Sequence, residues 1–204
     1  MRWGRDRLGG RGGAVLALLG SSVLPAPVLA HVGPGEVGGF LTGLGHPVSG
    51  LDHVLAMVAV GVWGAQLSAP AIWMLPVAFP MTMAVGGLLA LLGLPLPAVE
   101  VGIALSAVAL GGLVLGRVRP PLALALAIVG AFALFHGHAH GTELPAGESA
   151  VLYSLGFVIS TGLLHAGGIA IGLVERWPVG HVLLRLAGLV VLLGGLYFLL
   201  RAVG

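Results

Sequence analysis

The 204-residue chain is 58% hydrophobic and 8% charged, with a formal charge of +2. A soluble domain carries roughly 25% charged residues, so this composition excludes a soluble globular domain, a disordered chain and a nucleic-acid binder, and it indicates a polytopic membrane protein. Neither cysteine nor lysine occurs, which excludes disulfides, thiolate metal sites, iron–sulfur clusters, cysteine nucleophiles, a Walker A loop and a Schiff-base lysine.

Residues 1–30 read as a secretory signal peptide. Arg2, Arg5, Arg7 and Arg11 form its positive start, residues 14–24 its apolar stretch, and Val28-Leu29-Ala30 a cleavage site. The alternative is an uncleaved first helix, but the apolar stretch is shorter than the ~20 residues a span needs. The remaining domain, 31–204, divides into six apolar blocks: 47–66, 71–92, 97–116, 121–135 and onward, 150–174, and 180–200. Each is long enough, at ~1.5 Å per residue, to cross ~30 Å of hydrocarbon as a helix. The predicted fold is therefore all-α, a six-helix transmembrane bundle behind a cleavable signal peptide. Thirty-six glycines suggest close helix packing in lipid.

Orientation follows from the arginines. Export of the mature N-terminus puts His31 outside and makes the loops alternate. Arg117, Arg119 and Arg176 then fall in inside loops, with Arg185 close by. The loop holding Glu143 and Glu148 lies outside and has no arginine. Both termini are expected outside.

Ionisable groups within a membrane are costly and are functional candidates by default. Here they cluster. His46, Asp52 and His53 open the first block, followed by Met57. On a regular helix His46 and His53 lie within ~20° of each other, Met57 follows one turn on, and Asp52 sits about 100° away. Asp52 then either orients an imidazole or marks a distorted helix start, for which Pro47 and Gly50 leave room. The second cluster, His136, His140 and Glu143, follows i, i+4, i+7 and falls within ~60° on one face. Two imidazoles and a carboxylate in that array suit a cation. His138 points about 160° from His140 and reads as a water-facing residue at a loop end. Glycines leave open a second reading of the whole segment as a histidine-rich loop. The predicted topology puts both clusters at the outer face.

Three further positions are weaker candidates. His165 lies ~22 Å along the fifth block and is either a second stop for an ion or a packed core histidine. Glu100 either adds a carboxylate or sits at the interface. His31, as a new N-terminus, has an amine and an imidazole that can chelate. Imidazole and carboxylate without thiolate suit Ni, Co, Zn or Cu(II) and argue against Cu(I).

The run His46-Pro47-x-x-Gly50-x-Asp52-His53-x3-Met57, with Phe135-His136-Gly137-x-Ala139-His140-Gly141-x-Glu143, resembles the HupE/UreJ family, small nickel permeases associated with hydrogenase and urease maturation. The resemblance covers essentially the whole mature chain. It implies that His46, Asp52, His53, His136, His140 and Glu143 are the metal-motif residues, and it leaves His138 at a variable position. The His-x5-Asp-His spacing is also similar to the His-x4-Asp-His of another nickel/cobalt permease family, from which it differs by one residue. The function implied is uptake of Ni2+, or Co2+, across the bacterial inner membrane, with the ion as cargo and no permanently bound cofactor. No enzyme activity is expected. The expected partners are the divalent ion, the bilayer and, for coupling, an ion gradient, an unseen subunit or further copies of the chain. Two rival readings use the same residues: an intramembrane metal-dependent hydrolase, and a metal-binding sensor or accessory subunit that moves no ion.

Overall fold

The computed structural model describes residues 34–143 and 147–204; the predicted signal peptide and His31 lie outside them. Among the described residues the chain is all-helical. In order come α1 (Pro34–Ser49), α2 (Leu51–Leu67), α3 (Ala71–Leu91), α4 (Val99–Gly116), α5 (Leu122–Thr142), α6 (Ala150–Gly172), a 3-10 turn (Leu173–Arg176) and α7 (Gly180–Val203). Five of these are long and apolar enough to cross a membrane: α3, α4, α5, α6 with its 3-10 turn, and α7.

The first predicted block needs correction. It is not one helix beginning near residue 47. A separate helix, α1, precedes it, and α1 meets α2 at a bend of 81°. Local chemistry explains the break. Pro47 has no N–H to give to the preceding turn. The Ser49 hydroxyl donates to the His46 carbonyl at 2.6 Å, which satisfies an orphan acceptor of the last turn. Gly50 is extended (φ −103, ψ 115) and caps α2. Asp52 falls in the first turn of α2, where a carboxylate is favoured by the helix dipole.

Glycines allow the helices to approach closely, as expected where helix association in lipid rests on van der Waals packing. A Cβ at Gly137 of α5 would strike the Met83 backbone of α3, and one at Gly61 of α2 would strike the His165 carbonyl of α6. The central helix is α2, which contacts α1, α3, α4, α6 and α7. Met57, Trp63, Leu75, Phe79 and Leu110 are fully buried around it. Trp73, Met81, Leu163 and Leu200 face outward, as suits a lipid-facing surface.

The ends of the bundle differ. At the one where α4 and α5 join, Trp63 Nε1 donates to the Val118 carbonyl at 2.9 Å and Gln66 Nε2 to that of Val114 at 3.3 Å. Arg117 and, at 3.2 Å, Arg119 pair with Glu175. The C-terminal half-turns of α5 lie at the opposite end, with the histidines.

Candidate metal centre

α1 carries His46, α2 carries Asp52 and His53, and α5 carries His136 and His140 and ends at its C-cap Glu143. The bend at Gly50 turns α1 across the top of α2, so His46 and His53 approach α5 from different directions. The pairing is not the one that a continuous helix predicts. His46 meets the end of α5: its ring centroid is 4.9 Å from that of His140, and its Nε2 is 2.9 Å from Glu143 Oε2. His53 sits deeper, 4.6 Å from His140 and 4.8 Å from His136. The helical face of the second motif is realised as the sequence predicts, and His140 touches both halves of the first.

The outermost group is a trio. Ligand atoms of His46, His140 and Glu143 all lie within 4.8 Å of one another. Glu143 is 51% exposed, His46 22% and His140 8%, so the trio opens outward through its carboxylate. The His140 and His46 imidazoles hold the Glu143 carboxyl down at about 2 against the opposing effect of burial, so it is anionic at any physiological pH. Tyr153 and Phe157 of α6 wall the trio: Tyr153 lies 5.7 Å from His46, and Phe157 4.4 Å from His140.

Below it, acceptors orient two imidazoles. Asp52 Oδ1 accepts from His53 Nδ1 at 2.9 Å, so Asp52 acts on the neighbouring imidazole. His136, fully buried, places Nε2 2.9 Å from the Ser106 hydroxyl of α4. His53 Nε2, His136 Nδ1 and His140 Nε2 remain buried without a hydrogen-bond partner among the described residues, while His140 Nδ1 lies 3.5 Å from Glu143 Oε2. Buried polar atoms are normally satisfied. A neutral imidazole has one lone pair to offer, and unpartnered nitrogens on adjacent rings suit a cation.

His165 of α6 is 1% exposed. The Phe79 ring of α3 packs against both it and His136, with centroids 5.4 Å from each. Met57 is fully buried in the apolar core. Glu100 is exposed in the first turn of α4, away from the trio. His138 corrects the expectation of a water-facing residue. It is 8% exposed, and its Nε2–H donates to the Leu94 carbonyl at 2.9 Å, tying α5 to the loop after α3. It still points away from the trio, as the helical wheel requires.

Sequence reasoning missed Ser106, Phe79, Tyr153 and Phe157. Only Ser106 left a trace, as a hydroxyl within an apolar block. The aromatic residues look like any other membrane-helix side chains.

The chain also matches known proteins over most of its length. The family described as HupE / UreJ protein matches residues 17–198. The chain is similar to Protein HupE of Rhizobium leguminosarum bv. viciae, 45% identical over 181 residues, which cover 89% of this chain and 94% of that protein. No solved structure matches the chain. A match over nearly the full length, together with a close relative that both chains cover almost completely, places this protein in the HupE/UreJ family.

Proposed function

We propose that the chain is an inner-membrane permease for Ni2+, with Co2+ as the alternative cargo. One observation carries the reading: His46, His140 and Glu143 converge at one end of the bundle with ligand atoms within 4.8 Å. Directly beneath them lie the bare nitrogens of His53 and His136. Family membership and the likeness to Protein HupE support the same role.

In this reading the exposed Glu143 carboxylate attracts a hydrated cation, and His46 and His140 replace part of its water. Imidazole and carboxylate suit borderline divalent ions. His53, oriented by Asp52, and His136 receive the ion about one turn deeper. His165, packed on the same Phe79 ring as His136, is the next candidate imidazole. Met57 and Glu100 are further candidate ligands, and His31 lies outside the described residues.

Residues 1–30 are taken as a removed signal peptide and 31–204 as the permease domain. The bent α1–α2 pair counts as one span, which makes six spans with both termini outside. Arginines at the end opposite the histidines support this orientation, since basic loops stay inside. A dication moving inward would gain about 4.6 kcal/mol per 100 mV, twice the single-charge figure.

The test is accumulation of radioactive nickel in proteoliposomes with an inside-negative potential, with His140→Ala as the control. Flux lost in that variant supports the permease. Tight binding without flux would point to a sensor or accessory subunit. Chelator-sensitive turnover of lipid or peptide would point to a hydrolase.

A further inference from the structure

Ser106 sits in the middle of α4, fully buried, on none of the histidine motifs. Its hydroxyl makes two short contacts, and together they fix where the protons are. At 2.6 Å it faces the Ile103 carbonyl one turn back. A carbonyl oxygen has no proton, so the hydroxyl must be the donor there. A serine hydroxyl has only one proton to give. Toward His136, 2.9 Å away, Ser106 Oγ is therefore an acceptor only, and His136 Nε2 must carry the hydrogen. Were Nε2 bare, two lone pairs would face each other in a dry interior, with the donor on the other nitrogen left unsatisfied, which is the costly way to bury polar atoms.

A neutral imidazole carries one N–H. Protonation at Nε2 leaves the lone pair on Nδ1, the nitrogen that is buried without a partner. His53 shows the mirror arrangement. The acceptor-only Asp52 carboxylate binds its Nδ1–H at 2.9 Å, and the lone pair lies on the equally unpartnered Nε2. Two rings 4.8 Å apart and nearly perpendicular, at 87°, are thus held in opposite tautomers. Each exposes one lone pair and no proton.

We infer that Ser106 is a positioning residue of the ion path: it locks His136 in the Nε2–H tautomer and so assigns Nδ1 as the metal-binding atom. The role of that atom rests on the permease reading; the tautomer itself does not. The choice of acceptor also differs between the two rings. Asp52 orients His53 and places a carboxylate beside it. Ser106 orients His136 without adding charge. The deeper ring then has no charged partner, which suits a site from which an ion must leave as well as arrive.

The experiment uses the purified full chain with 15N-labelled histidine and reads the tautomer by long-range nitrogen–proton correlation, the His136 signal being assigned by its loss in His136→Gln. The metal-free protein should show His136 protonated at Nε2. Ser106→Ala, which keeps the side-chain volume but removes the acceptor, should abolish that single tautomer. It should also weaken Ni2+ binding by on the order of 10–100-fold, as loss of an orienting partner does. Ser106→Thr restores an oxygen and should recover both, which separates positioning from packing. Protonation at Nδ1 in the wild type would overturn the inference. So would Ser106→Ala with an unchanged tautomer and unchanged nickel affinity. Normal nickel binding and uptake in His136→Gln would instead overturn the permease path through this ring, even with the tautomer as described.

Discussion

The 46–53 motif straddles a broken backbone, while the 136–143 motif lies on one uninterrupted helix. In α5 the spacing i, i+4, i+7 is enough to put His136, His140 and Glu143 on a common face. In α1 and α2 the spacing misleads, because an 81° bend separates His46 from His53. The break is useful. A straight helix would stack both imidazoles on a single line, whereas the bend sends His46 to the exposed trio and His53 to the buried layer beneath. A continuous helix supplies depth along one axis. A broken one wraps ligands around a site from the side.

If His140 joins these two backbones, its loss should have the largest effect. His140→Ala and His53→Ala should each cut nickel uptake by more than about 100-fold, beyond what losing a mere orienting partner costs, with normal amounts of protein in the membrane. Glu143→Gln tests the outer carboxylate. With its carboxyl held at about 2, Glu143 stays charged through the range from about pH 8 to pH 5 in which free imidazoles titrate. The variant should therefore lower uptake throughout that range.

Glycine substitutions probe the two backbones directly. Gly137→Ala puts a Cβ onto the Met83 backbone and should destabilise the α3–α5 contact by about 1–3 kcal/mol, as overpacking does; thermal unfolding in detergent measures it. Gly50→Ala meets only side-chain atoms, Asp52 Oδ1 at 2.9 Å and His53 Nδ1 at 3.0 Å. It should leave melting nearly unchanged and lower uptake about tenfold, much as Asp52→Asn should, since both disturb one orienting bond. The double variant should be less than additive because both act through His53. The smallest effect belongs to His138→Ala. Its hydrogen bond to Leu94 is worth ~1 kcal/mol, and uptake should stay near the wild-type level. Damage equal to that of His140→Ala would defeat the one-face argument for α5.

Much of the architecture was legible in the residues. Long apolar blocks must be helices in a bilayer, because only internal hydrogen bonding satisfies the backbone there. That logic located α3 to α7 to within a few residues. It overlooked α1, whose glycine-rich sequence lacks a long apolar run. The shared face of His136 and His140 was readable because helical periodicity is local. Asp52 was readable only as a pair of alternatives, and the structure gives it the orienting contact to His53. His138 was misread as wet because its acceptor, Leu94, is 44 residues away.

The sequence by itself determined the class of the molecule and the half of the motif geometry that lies on α5. A scarcity of charge and a 3.6-residue repeat are enough for that, since both act over short stretches of chain. Residues 1–30 hold four arginines and one aspartate, so the +2 of the whole chain becomes −1 beyond them; the basic character belongs to the predicted signal. Only the tertiary structure decided that His140 meets two histidines from two separate helices, that Phe79 packs against both His136 and His165, and that the Ser106 hydroxyl meets the His136 ring. Those contacts join helices distant in sequence, and their distances depend on the bend at Gly50 and the glycine-to-backbone approaches, which no local periodicity encodes.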